Sequence, residues 1–443
     1  MEWISGIFFS IELLLQITMG CIFSCAFCVA CSCCTTLVNL TFAHLNRLGY
    51  LLIVITLFSL ASVIGKLYPN TINGYSWVVS NISAKVDLTE HCDNSYFDEC
   101  IYRQLLYRAS LALVITFSIF TLLVGQSNYF NNSAWVMKFL FPIMLFISFW
   151  WVDNDVFIVW AELCRVISFI FLLVQSFLLF DFAHDLHDII MEKDAEAEAA
   201  AISTKPPMMY KFLYLMLSGS FLICGIIGIV ILFQKYSGCH VGMFYIVLTL
   251  LMGVLTMIAS ILSVVNKGVL TPSLMFVYSV FICWYALLSN PDRTCNPLAN
   301  TNQSSAITTS MVVVLTISVI VLLYCIINGT RIVNAFNPST TGVLKSVYTT
   351  RLDTREDSEN NSLINNGAAS ESAPKERIYY QVLMIWVSCY TAMVLSGWGS
   401  SDGSPTSKTP LISDFSMWLK ILTQWTFFML YIRSLYVTYR DHL

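Results

Sequence analysis

Stretches of about twenty predominantly apolar residues recur along this chain with short polar loops between them, and no other feature restricts its fold so severely. A helix rises about 1.5 Å per residue, so roughly 20 residues cross a hydrocarbon layer about 30 Å thick. Runs of that length begin near Leu48, Leu105, Trp135, Val156, Tyr210, Gly242, Leu270, Met311, Ile378 and Phe415. Only 11% of the 443 residues are charged, against about a quarter in soluble domains. Backbone amides in lipid must be paired within their own segment or in a closed barrel, and these runs lack the alternation of barrel strands. The expected fold is therefore all-α, a polytopic integral membrane protein of about ten transmembrane helices.

Sidedness follows from cysteines and basic residues together. If the loop 66–104 is lumenal or extracellular, the loops around Cys239, from Pro291 to Thr309 and from Trp398 to Asp414 share its side. Cys92 and Cys100 then lie in one oxidising loop, and Cys239 and Cys295 in two loops on the same face, so each pair is expected to form a disulfide. The alternative is four unrelated thiols. On this topology fourteen Lys and Arg residues near the span ends are cytosolic and eight, Arg108 and Lys420 among them, lie opposite. That is the direction of the positive-inside rule. Sequons do not discriminate, since Asn81 and Asn302 fall on one side and Asn131, Asn328 and Asn360 on the other.

The chain then divides into four parts. Residues 1–47 form an apolar, Cys-rich segment that could be an extra span. Residues 48–336 hold eight spans, with the lumenal loop 66–104 and a cytosolic loop 185–209. Residues 337–377 form a flexible cytosolic loop, too poor in aliphatic side chains to offset its ordering entropy. Residues 378–443 hold the last two spans and a cytosolic C-terminus. The Ala-rich acidic stretch after Asp185 reads as a helical continuation into water, ended by Pro206 and Pro207. In the first part Cys21, Cys25, Cys28, Cys31, Cys33 and Cys34 are small packing residues, acylation sites or metal ligands; the acylation candidates are Cys28, Cys31, Cys33 and Cys34. No His accompanies them, and no metal site is expected.

Charges at membrane depth cost roughly 2.5 to 3.5 kcal/mol each on insertion scales, so each needs a partner, a wet cavity or the interface. Glu162 and Arg165, three apart on one helix, can pair along a face. Asp181, His184, Asp185 and Asp188 follow on the same helix at i, i+3, i+4 and i+7, a stripe that suits a cation or a lipid head group, or is a solvated acidic end. Lys138 can snorkel to the interface and meet a lipid phosphate. Lys138, Glu162, Arg165, Asp181 and His184 are the candidates for a polar seam between helices. Trp77, Trp135, Trp150, Trp151, Trp160, Trp284, Trp398 and Trp418 fall near span ends, as an interfacial belt requires.

No phosphate-cradling Gly-rich loop, H-E-x-x-H or G-x-S-x-G is present, nor a basic and aromatic surface for nucleic acid. No enzyme activity, cofactor or nucleic-acid partner is expected.

Asp181-Phe182-Ala183-His184 after an apolar helix, and Asn290-Pro291 with Cys295-Asn296-Pro297 after Tyr278 and Trp284, resemble the serine incorporators, also called TMS or tumour differentially expressed membrane proteins. Cys28, Cys31, Cys33 and Cys34, Tyr107-Arg108, Lys138-Phe139, Trp418, Lys420 and Arg440-Asp441 support the likeness, which extends in order across about 400 residues. The resemblance implies ten helices in two bundles crossed by a long diagonal helix, here the one starting near Val156, and a flexible loop before the ninth helix. It also implies handling of membrane phospholipids, as non-selective scrambling between leaflets or as support of serine incorporation into phosphatidylserine and sphingolipids. The alternatives are a structural lipid-binding subunit of a larger membrane assembly, a homo-oligomer among them, and a small-solute transporter for serine. An endomembrane or the plasma membrane is the expected location. A short loop before Met311 and divergent span interiors set the chain apart from animal members, so an antiviral role is not carried over.

Overall fold

The computed structural model describes residues 42–67, 97–126, 135–200, 209–236, 238–261, 268–290, 304–327, 365–399 and 410–442. Every regular element among them is helical. In chain order they are α1 (Phe42–Leu67), α2 (Phe97–Gln126), α3 (Trp135–Ser148), α4 (Asn154–Ala200), α5 (Met209–Tyr236), α6 (His240–Ile261), α7 (Leu270–Leu287), α8 (Ser304–Ile327), α9 (Asn365–Leu395) and α10 (Pro410–His442), with a 3-10 turn, Phe149–Trp151, before α4. Seven are long and apolar enough to cross a membrane, and Trp135–Trp151 and Val312–Ile327 are shorter apolar helices. The chain is an all-α, multi-pass membrane protein.

It divides into two compact units, Met1–Gly49 and Tyr50–Leu443. The described residues of the first are the opening turns of α1. In the second, α2 packs against α3 and α9, while α7 is surrounded by α5, α6 and α10. The long α4 touches both groups, meeting α2 and α9 on one side and α5, α7 and α10 on the other, and it also meets α8. Its 47 residues make a rod about 70 Å long, more than twice the hydrocarbon thickness. In its last turns Lys193 pairs with Glu196 while Lys211 of α5 reaches Asp194 and Glu198.

Lipid offers helices no hydrophobic incentive to associate, so close packing of small residues must supply it. Phe276 of α7 shows how. A Cβ added to Gly225 of α5 would lie 2.4 Å from the Phe276 ring, and one added to Gly253 of α6 would lie 2.3 Å from it. One ring thus occupies the notches of two neighbouring helices. All but three of the 18 residues of α7 are buried, whereas α5 and α6 expose Leu215, Ile223, Val254 and Ile258 outward.

Helix ends need partners for their unpaired backbone groups. At the start of α7 the N–H groups of Val269 and Leu270 donate to the Tyr214 hydroxyl at 2.8 and 3.1 Å. Gly268, at φ +76°, is required there because a side chain would strike that hydroxyl. At the end of α3, Arg108 of α2 donates to the Phe149 and Val152 carbonyls, to Gln104 at 3.0 Å and to Asn154 Oδ1. Its guanidinium lies over the Phe157 ring at 4.3 Å. Arg108, counted among the cations on the side opposite the cytosol, is fully buried.

The ninth helix starts earlier than hydropathy indicates. It begins at Asn365, inside the segment expected to be flexible, and its first turns contain good helix formers such as Ala368, Ala369, Glu371 and Lys375. Residues 337–364 lie outside the described residues. So do the apolar segment 1–41, with all six of its cysteines, and most of the loop 66–104.

Candidate functional site

The residues nominated from sequence cluster on α4, with one exception. Lys138 is buried on α3, its ammonium 4.4 Å from the Trp135 ring and 5.3 Å from the Tyr50 ring. It is held against two aromatic faces near the start of α3.

On α4 Arg165, Ser168, Gln175, Ser176, Asp181 and His184 are all buried; at about 100° per residue they are spread around much of the helix and meet different neighbouring helices rather than lying on one face. From Arg165 to His184 the rise is about 28 Å, close to the hydrocarbon thickness. Other helices supply the partners. Tyr278 of α7 lies 3.1 Å from the Ser176 hydroxyl, Ser318 of α8 is 3.3 Å from Gln175 Oε1, and Thr271 of α7 donates to the Ala183 carbonyl. Tyr324 of α8 brings its hydroxyl to both Asp181, at 3.0 Å, and Asp185, at 2.6 Å. A phenol has one proton, so it donates to one of these carboxylates at a time. The His184 ring packs edge-on against Phe180 at 4.6 Å, and the His187 ring against Tyr214 at 5.6 Å.

Near the other end, Arg165 Nη1 donates to Glu162 Oε2. The two side chains differ sharply in surroundings: Arg165 is 2% exposed and Glu162 is 52% exposed. Val159, Leu163 and Val166 are exposed beside Glu162, so the carboxylate sits on an apolar outer face. The pair anticipated from i, i+3 spacing forms. The Asp181–Tyr324 group lies a further 16 residues, about 24 Å, along the helix.

Two buried clusters were not anticipated. Lys420 of α10 donates to the Ser289 hydroxyl and lies over the rings of Tyr285, at 3.6 Å, and Trp398, at 4.8 Å. The Trp398 indole N–H donates to the Tyr285 hydroxyl at 2.5 Å. Trp398 adopts a left-handed φ of 61° where α9 ends, with its N–H donating to the Met393 carbonyl. It is a buried side chain packed at the end of α9. Four residues from Lys420, Gln424 donates to Thr249 of α6 at 2.8 Å and to the Ser279 carbonyl of α7 at 2.9 Å. The i, i+4 placement of Lys420 and Gln424 in an apolar run was the available signal.

Cys100 and Cys239 each take part in a disulfide. Cys92 and Cys295 lie outside the described residues, as do Cys28, Cys31, Cys33 and Cys34. Among the described residues no group of three or more His, Cys, Asp and Glu side chains is arranged to hold a metal ion.

The serine incorporator family model matches residues 19–439, nearly the whole chain. The chain belongs to the serine incorporator family. Relatives within it include a probable serine incorporator of Nematostella vectensis, 25% identical over 389 residues that cover 79% of this chain and 81% of that one. Serine incorporator 3 of Bos taurus is 24% identical over 93% of both chains. Serine incorporator 2 of Homo sapiens is 28% identical over 63% of this chain and 62% of its own. At such identities roughly three positions in four differ from any one of these serine incorporators, so the interior contacts above are described for this chain alone.

Proposed function

We propose that this protein handles membrane phospholipids, giving their head groups a passage between leaflets along α4, and that support of serine incorporation into phosphatidylserine and sphingolipids works through that passage. The reading rests on one observation, the series of buried polar side chains distributed along α4, at its contacts with several helices, over about the depth of a hydrocarbon layer. A head group moved through bare lipid loses its hydration, whereas hydroxyls, amides and paired charges along a helix replace part of it. Such a path lowers a barrier and needs no energy source. The name serine incorporator, carried by relatives in three animals, agrees with a role in lipid chemistry.

Proteoliposomes containing a fluorescent phospholipid test this reading. A membrane-impermeant reductant bleaches about the outer half of the label in protein-free vesicles, and with this protein bleaching is expected to proceed nearly to completion. Bleaching that stops at the protein-free level removes leaflet exchange from the account. The same reading pairs Cys100 with Cys92 and Cys239 with Cys295 on the lumenal face, and puts the acidic end of α4 in the cytosol. Peptide mapping without reduction is expected to recover both pairs; other pairings, or free thiols, contradict that arrangement.

A further inference from the structure

Arg165 carries more hydrogen-bonding capacity than its surroundings use. A guanidinium has one edge formed by Nε–H and an adjacent terminal N–H, a parallel fork that matches two oxygens of a phosphate or carboxylate. In Arg165 the contact to Glu162 uses Nη1, while Nε and Nη2 are buried and meet no hydrogen-bond acceptor among the described residues. Those two groups are the fork. A buried, charged donor left without an acceptor is costly, and an arginine could have been avoided at this depth altogether. Arg165 stands eleven residues into α4 from Asn154, about 16 Å along the helix. No phosphate dissolved in water reaches that depth readily, whereas a lipid phosphate already resides in the membrane.

We infer that the Nε–Nη2 edge of Arg165 is a binding site for the phosphate of a phospholipid head group, with Glu162 holding the opposite side of the guanidinium and moderating its charge. This deepens the lipid-passage reading and rests on it for its purpose. Glu162 and phosphate compete for the same positive charge, so binding is weaker than an unopposed arginine would give. A passage requires that weakness, since a head group held tightly does not move on. The half-exposed carboxylate on the apolar outer face is also placed to attract the ammonium of a zwitterionic head group.

Native mass spectrometry of the detergent-purified protein after partial delipidation, with phosphatidylcholine added back, reads the site without any transport assay. Wild type is expected to retain phosphatidylcholine. R165K keeps the charge and loses the fork, and is expected to weaken retention roughly tenfold, as loss of a two-pronged contact would. The double substitution E162Q/R165Q leaves no uncompensated charge behind and is expected to do the same. E162Q alone is expected to strengthen retention and slow leaflet exchange. R165K binding as well as wild type overturns the proposal; if either arginine variant fails to fold, unchanged or weaker retention by E162Q overturns it. Inorganic phosphate at millimolar concentration is expected not to displace the lipid, and displacement would overturn the lipid assignment. Retention that depends on Arg165 without leaflet exchange in the wild type would overturn the passage and leave the site. Exchange in the wild type that is unaffected by R165K would overturn the site and leave the passage.

Discussion

Arg108 and Lys420 show how differently two buried cations are accommodated. Arg108 spends its donors on backbone carbonyls at the turn between α3 and α4, so it acts as part of the fold's hydrogen-bonding framework. Arg108→Lys keeps the charge but cannot reach four acceptors in that geometry. It is expected to lower stability by about 2–4 kcal/mol, read as a depressed thermal midpoint in detergent and as faster proteolysis within residues 149–153. Lys420 instead has aromatic faces and one hydroxyl around it. Trp398→Phe preserves a ring over the ammonium and removes the indole donor to Tyr285, so a smaller loss of about 1 kcal/mol is expected in the same measurement. Neither environment was readable from sequence. Charge counting saw two cations near span ends, while their partners, Phe149, Val152, Ser289 and Trp398, lie on other elements that only folding brings near. Glu162 and Arg165 were legible because their contact is local, three residues apart on one helix. Tyr324 was not, since nothing in an apolar run around it announces that Asp181 and Asp185 lie opposite.

Helices are where the sequence was most informative, because hydropathy depends on composition and the thickness of lipid fixes the length. The helical continuation of α4 to Ala200 was also legible from its acidic, Ala-rich stretch. Packing between helices was less so. Glycines in α5 and α6 do not by themselves indicate which ring fills their notches, and the answer, Phe276, follows from the register of α7. Gly253→Ala puts a methyl carbon well inside contact distance of that ring, and a cost of about 1–3 kcal/mol is expected from the overpacking. Combining it with Phe276→Leu should recover part of the loss, and a double-mutant cycle showing strict additivity would disprove the contact as the cause. Tyr214→Phe removes the acceptor for two N–H groups at the start of α7 and is expected to destabilise that helix end by about 1–2 kcal/mol, visible as faster amide exchange at Val269 and Leu270.

At the scale of the unit Tyr50–Leu443, the described part of α4 touches both helix groups. Removing a disulfide tests how much of the architecture depends on its loops: Cys239→Ser is expected to lower stability by about 2–5 kcal/mol, measured against wild type under non-reducing conditions. The single ring set into α5 and α6 has a further effect on motion. With Phe276 keyed into both neighbours, those three helices cannot slide or part without first extracting an aromatic side chain, so they behave as one stiff block. A transient cleft in this part of the chain then has to open outside the α5–α6–α7 contacts, for example along the surface that α7 presents to α4.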